Sequence, residues 1–154
     1  MNSGTMNPEL KIIREVSDQA ENFYNEAVKL GDHAATTLRA SHRSQMTGLE
    51  NIAESTFKTS DVLDYVKKQT ARFSYWRQTV PDSQEMGFGE RLKNILEGDL
   101  ARRRDTICGD KKLNIQDMQE RRRVHLLLMR QFIRQMVVEY EYQVNFGNKP
   151  RGGR

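Results

Sequence analysis

Three histidines (His33, His42 and His125), one cysteine (Cys108) and a C-terminal third crowded with arginine offer the most chemistry in this chain. The histidines do not converge by spacing. No histidine follows a glutamate by three residues, so the Glu-x-x-His ligand pair of di-iron bundles is missing. His33 and His42 are nine residues apart, which puts them on opposite faces of one helix. A lone cysteine supports neither a zinc site of paired thiolates nor an intramolecular disulfide, and Cys108 has no sequence-local histidine to activate it. It reads as an ordinary thiol. "GFG" at 87–89 lacks the lysine and the helix signature of a phosphate loop. Acid pairs such as Glu85/Glu90 and Glu139/Glu141 are what any charged helix presents. These residues predict no catalytic group, no metal and no cofactor; the chain is not expected to be an enzyme.

The arginines are different. "RRRVHLLLMRQFIRQMVVEYEYQ", residues 121–143, mixes them into the most apolar stretch of the sequence. A membrane span needs about twenty mostly apolar residues. Here the uninterrupted run is the six of "VHLLLM", and Arg-Gln pairs recur at 130–131 and 134–135, so a span is excluded. At 100° per residue, Met129, Phe132, Ile133, Met136, Val137, Tyr140 and Val144 share one broad face. Leu126, Leu127, Leu128 and Val138 widen it. Arg123, Arg130, Arg134 and Glu141 form the narrow polar stripe opposite. Arg130 and Arg134 stand roughly 6 Å apart along the axis, comparable to the step between backbone phosphates. That stripe, extended by Arg121 and Arg122, is the candidate nucleic-acid contact.

Charge distribution points the same way. Residues 1–101 carry 12 Lys/Arg against 15 Asp/Glu, and residues 102–154 carry 13 against 6, so a net of −3 is followed by +7. An anionic partner for the basic third is expected, nucleic acid first and a membrane surface second. The competing reading is that these arginines pair with the acidic first hundred residues, within the chain or across a subunit interface.

The elements that position these groups are helical, and the fold class is all-α. Asn7-Pro8-Glu9 is a helix start: a capping side chain, proline at the first position, an early acid. From there Ile13, Val16, Ala20, Phe23, Ala27, Leu30 and Ala34 step by three and four. The first helix is expected from Pro8 to Thr56, whole or in two pieces, with a bend possible within 35–44 and continuity favoured through Gly31. A second helix follows with Thr59 or Ser60 as its cap and is ended by Pro81, a third covers roughly Phe88–Arg104, and a fourth about Asn114–Val144. Residues 1–6 read as a disordered N-terminus, 7–145 as one helical-bundle domain, and 146–154, including "KPRGGR", as a flexible basic tail. In "FSYW", Phe73 and Trp76 have core spacing and Tyr75 is the expected exposed member, a possible stacking platform beside Lys67, Lys68 and Arg72.

Two stretches, "FKTSDVLDYVKKQTAR" (57–72) and "RQFIRQMVVEYEYQVNFGN" (130–148), resemble the small helical subunit of type III CRISPR effector complexes. The resemblance implies a catalytically inert bundle repeated along an effector filament, touching guide or target RNA backbone. It implies Lys67, Lys68, Arg72, Arg130 and Arg134 as contacts.

The expected architecture is therefore an antiparallel bundle of about four helices with a long, coiled-coil-like N-terminal helix. Its stripe exceeds what a short third helix covers, so Ile13, Val16, Phe23 and Leu30 are expected to mediate self-association in a homo-oligomer or larger complex. The expected function is a non-enzymatic assembly subunit binding RNA or single-stranded nucleic acid through its basic third. The alternative is a coiled-coil adaptor acting through protein contacts alone. No basic-apolar-small leader opens the chain and the lone thiol suits a reducing compartment, so a cytoplasmic location is expected.

Overall fold

The computed structural model describes residues 6–147, and all regular structure among them is helical. The expectations for residues 1–5 and 148–154 lie outside the described residues. Seven α-helices follow in order: α1 (Pro8–Asn22), α2 (Tyr24–Thr37), α3 (Arg43–Ser55), α4 (Thr59–Arg72), α5 (Phe88–Asn94), α6 (Leu100–Cys108) and α7 (Met118–Tyr142). A π-turn at Ile95–Asp99 joins α5 to α6, and another at Gln143–Gly147 carries the chain past the expected domain end. None of these helices is long and apolar enough to cross a membrane.

The start of α1 follows its sequence signals. Asn7 accepts a hydrogen bond from the Glu9 amide at 2.7 Å, with Pro8 at the first position. Asp117 does the same for α7, accepting from the Glu120 amide at 2.9 Å, so that helix begins at Met118 rather than Asn114.

The long first helix is in three pieces. It turns at Phe23, whose backbone (φ −98°, ψ 8°) leaves helical geometry for one residue, and it runs unbroken through Gly31. The sharp reversal comes at Arg39, held at φ 57° and ψ −169°, a region few side chains tolerate. The α3 limb then folds back. Tyr140, its phenol pushed up to about 12 by burial, donates to the Arg39 carbonyl and clamps the reversal to α7.

That reversal adds a rod. The described helices make five (α1–α2, α3, α4, α5–α6 and α7), each antiparallel to its successor along the chain. Arg43 meets Glu141 while Glu54 meets Arg134, which sets α3 antiparallel to α7. Leu96 meets His125 while Asp105 meets Arg121, which does the same for α6. With an odd number of rods, first and last are parallel. Glu9 meets Arg123, the Phe23 ring lies 5.4 Å from that of Phe132, and Gly31 packs on Met136 and Glu139. The expected all-antiparallel arrangement of four helices is thus replaced by five rods with a parallel central pair.

This pairing accounts for the N-terminal stripe. Val16, Ala20, Phe23, Ala27, Leu30 and Ala34 are buried in the chain's own core, which α7 runs through. Val16, Phe23 and Leu30, expected at a subunit interface, face the interior because a 25-residue α7 lies along them. Ile13 alone of the four remains exposed.

Gly31 lets the two rods approach. A Cβ there would sit 2.5 Å from the Met136 carbonyl oxygen and 2.8 Å from Glu139 Cβ, neither at the end of a flexible side chain. Gly31→Ala gains helix propensity of about 1 kcal/mol. Overpacking against a fixed backbone costs about 1–3 kcal/mol. We expect a net loss of stability, read as a lower urea midpoint, and a midpoint at or above wild type would contradict this close approach.

Candidate nucleic-acid interface

Most of the arginine stripe is occupied by the protein itself. Arg130 Nε donates to the Ala53 carbonyl at 2.7 Å and its Nη2 to the Thr56 carbonyl at 2.8 Å. These oxygens belong to the end of α3, where carbonyls lack intrahelical donors and the helix dipole is negative. Arg134 Nη2 meets Glu54 at 2.6 Å. Arg123 pairs with Glu9 and, at 3.8 Å, with Glu120. Arg121 binds Asp105 at 2.9 Å and donates to the Ile115 carbonyl at 3.0 Å. Burial pushes the Asp105 carboxyl up, but the hydrogen bonds and charges of Arg104 and Arg121 outweigh it and hold the pKa below the usual value. Lys112 adds a pair with Glu15 at 3.4 Å. The basic third and the acidic first hundred residues therefore neutralise one another inside the fold at several points.

Arg122 is the exception: it is exposed and makes no hydrogen bond or ion pair with the described residues. Lys67, Lys68 and Arg72 are exposed on the outer side of α4. Arg72 lies over the Phe73 ring, 5.3 Å from its centroid, and Lys68 borders a shallow depression shared with Asp61 and Asp64. The structure does not bring the α4 cations together with the α7 stripe in one lined pocket.

The aromatic segment is also internal. Helix α4 stops at Arg72, short of Pro81, because Phe73 turns extended and swings Trp76 into the core. Trp76 Nε1 and Gln69 Nε2 both donate to Gln45 Oε1, at 2.6 and 2.9 Å, while Gln45 Nε2 donates to the Tyr75 hydroxyl at 2.6 Å. Tyr75, the expected exposed member, is half-buried and stacked on His42 with ring centroids 3.6 Å apart. It is not free to receive a base.

His33 and His125 repeat one arrangement. Arg91 donates to His33 Nδ1 at 2.7 Å, which leaves Nε2–H to donate to the Gln78 carbonyl at 2.8 Å. Arg104 donates to His125 Nδ1 at 3.3 Å, and His125 Nε2–H donates to Leu96 O, in the π-turn, at 2.8 Å. Burial lowers both pKa values; the backbone hydrogen bond opposes and the arginine charge reinforces it. Both rings are neutral braces. Cys108 is buried, and burial pushes its thiol pKa up.

An open concavity lies beside α7. A groove of about 700 Å³ runs between the α3–α4 turn and the first half of α7. Four cations (Lys58, Arg122, Arg123 and Arg130) line it against a single lining acid, Glu120, with Leu126 among them; Lys58 also pairs with Asp61 at 3.8 Å and Arg123 with Glu9, both acids standing outside the groove lining. At its mouth stands Phe57, 94% exposed, the most exposed large apolar side chain of the described residues. Beside it α4 begins at Thr59 without a side-chain cap. Arg130 lends this groove its charge although its Nε and Nη2 donate to carbonyls. Phe57 and Lys58 escape a periodicity reading because they fall in a turn between two helices. The only available signal is a large aromatic off both stripes. No protein family model, curated protein or solved structure matches the chain.

Proposed function

We propose that this chain is a non-enzymatic helical subunit that binds the backbone of single-stranded nucleic acid, RNA foremost, in the groove between the α3–α4 turn and α7. The observation that carries this reading is the exposed Phe57 ring beside four cations and one acid. Phosphates attract Lys58, Arg122 and the outer edge of Arg123, while a base stacks on Phe57 as on other single-strand platforms. The resemblance to the CRISPR small subunit implies repeated copies along such a strand. Its contacts differ, because Arg130 and Arg134 are engaged within the chain and Phe57, Lys58 and Arg122 take their place.

Fluorescence anisotropy with a 30-nucleotide single-stranded RNA at two salt concentrations tests this. Wild type should bind more weakly at high salt. Phe57→Ala should weaken binding about tenfold, the scale of one base–aromatic stack. Lys58→Ala/Arg122→Ala should flatten the salt dependence by about 1.4 in log–log slope, two contacts at ~0.7 each. Absence of binding at low salt, or variants that bind like wild type, would overturn the proposal.

A further inference from the structure

We infer that the chain forms a homodimer through an apolar face built by α1–α2 and α7, and that this face is separate from the basic groove. Eight large apolar side chains are exposed among the described residues: Phe57 in the α3–α4 turn, Met118 at the first position of α7, and six more (Leu10, Ile13, Tyr24, Val138, Tyr142 and Phe146) along these two rods and the π-turn that continues α7. Each of the six is between 46% and 65% exposed.

Helical register puts them on one side. On α1, the flank toward α6 is marked by Glu15, which meets Lys112, and Gln19, which meets Arg103. Leu10, Ile13 and Tyr24 step along the opposite flank, in spacings of three and of eleven residues. On α7, one flank meets α6 through Arg121 and His125, and another meets α3 through Arg130 and Arg134. Val138 lies one turn beyond Arg134, and Tyr142 one turn beyond Val138, on the side that neither neighbour covers. The parallel pairing sets the two open flanks side by side: Gln135 reaches the Ala20 carbonyl at 3.2 Å, and Tyr24 and Val138 are the next turns along.

The area suits a second copy. At about 200 Å² per large side chain, half uncovered, six residues leave on the order of 600 Å² of apolar surface, at the top of the range for a monomer. The intervening Ser17, Val28, Leu127 and Gln131 bring the face near the ~800 Å² per partner of a stable interface. A second copy matches it. A two-fold axis perpendicular to the rods lays one parallel pair antiparallel on the other and closes a four-helix layer, so each exposed row meets an apolar row. Arg122 and Phe57 sit on the α4 side of α7, outside this contact, so the dimer leaves both grooves open.

Light scattering on the full chain tests this at on the order of 100 µM, where even a micromolar dimer is nearly saturated. We expect twice the chain mass of 18.0 kDa. Tyr24→Asp and Val138→Asp, made separately, should each halve that mass while leaving helical content and urea midpoint at low concentration unchanged, because both side chains are already exposed. A wild type that stays at one chain mass, or two folded variants that both remain dimeric, would overturn the inference. The RNA titration reads a different surface, so failure of either proposal leaves the other standing.

Discussion

Phe23→Ala is expected to remove about 3–5 kcal/mol of stability, the largest effect of any single truncation considered, as for other buried phenylalanines. The ring has no exposed surface, lies 5.4 Å from that of Phe132, and takes the Arg103 guanidinium over its face at 5.5 Å. It also sits where α1 turns into α2, so the cavity opens at the junction of three rods, where collapse has least freedom. Against a typical domain stability of about 5–15 kcal/mol, that is a large fraction. Urea denaturation followed by circular dichroism should show it as a lower midpoint with an unchanged slope. A loss under 1 kcal/mol would show that the ring is not packed as described. An aspartate at Phe23 or Leu30 is accordingly a test of folding, not of self-association, because both side chains belong to the core of a single chain. Tyr24, the next residue, faces outward and is where assembly can be tested.

The neighbouring fates of Phe23 and Tyr24 show what periodicity can and cannot deliver. The stripe from Val16 to Ala34 is legible because burial on one face repeats every three or four residues. It says that something covers the stripe, and not whether the cover is α7 or another molecule. The cap at Asn7 involves residues two apart in sequence and local chemistry suffices to read it, whereas the equally local cap at Asp117 is missed by a reading that starts the helix at Asn114. The reversal at Arg39 shows only as a weakened stripe within 35–44, where a bend is expected but not a full reversal, because the chain uses arginine where glycine or proline would have announced a turn. That missing signal hides the fifth rod, and with it the parallel pairing of first and last. Val138 shows the same limit in reverse. It reads as a widening of the apolar face, yet it is exposed, one turn beyond Arg134, which meets α3. Ion pairs such as Glu9 with Arg123 join positions more than a hundred residues apart, and only charge asymmetry hints at them. The groove at Phe57 was least legible: it exists because α3 ends at Ser55, level with the first half of α7.

Arg130→Ala is expected to cost about 2–4 kcal/mol, whereas Arg122→Ala, eight residues earlier on the same helix, should stay within about 0.5 kcal/mol of wild type. The two arginines are alike in sequence and opposite in employment. Arg130 donates two charged hydrogen bonds, at 2.7 and 2.8 Å, to the carbonyls of Ala53 and Thr56, and removing it strands both oxygens at the end of α3. Lysine should restore only part of the loss, because its single ammonium cannot present two donors in the fixed fork of a guanidinium. Arg122 has no partner among the described residues and nothing to release. The pair therefore separates folding from binding. A combined alanine replacement of Arg123, Arg130 and Arg134 should lose RNA affinity partly by loosening α3, and its urea midpoint should fall with it. Arg122→Ala should lose affinity with the midpoint held. If Arg130→Ala instead keeps the wild-type midpoint, the α3 carbonyls do not depend on it, and its guanidinium is available to a phosphate in the groove it lines.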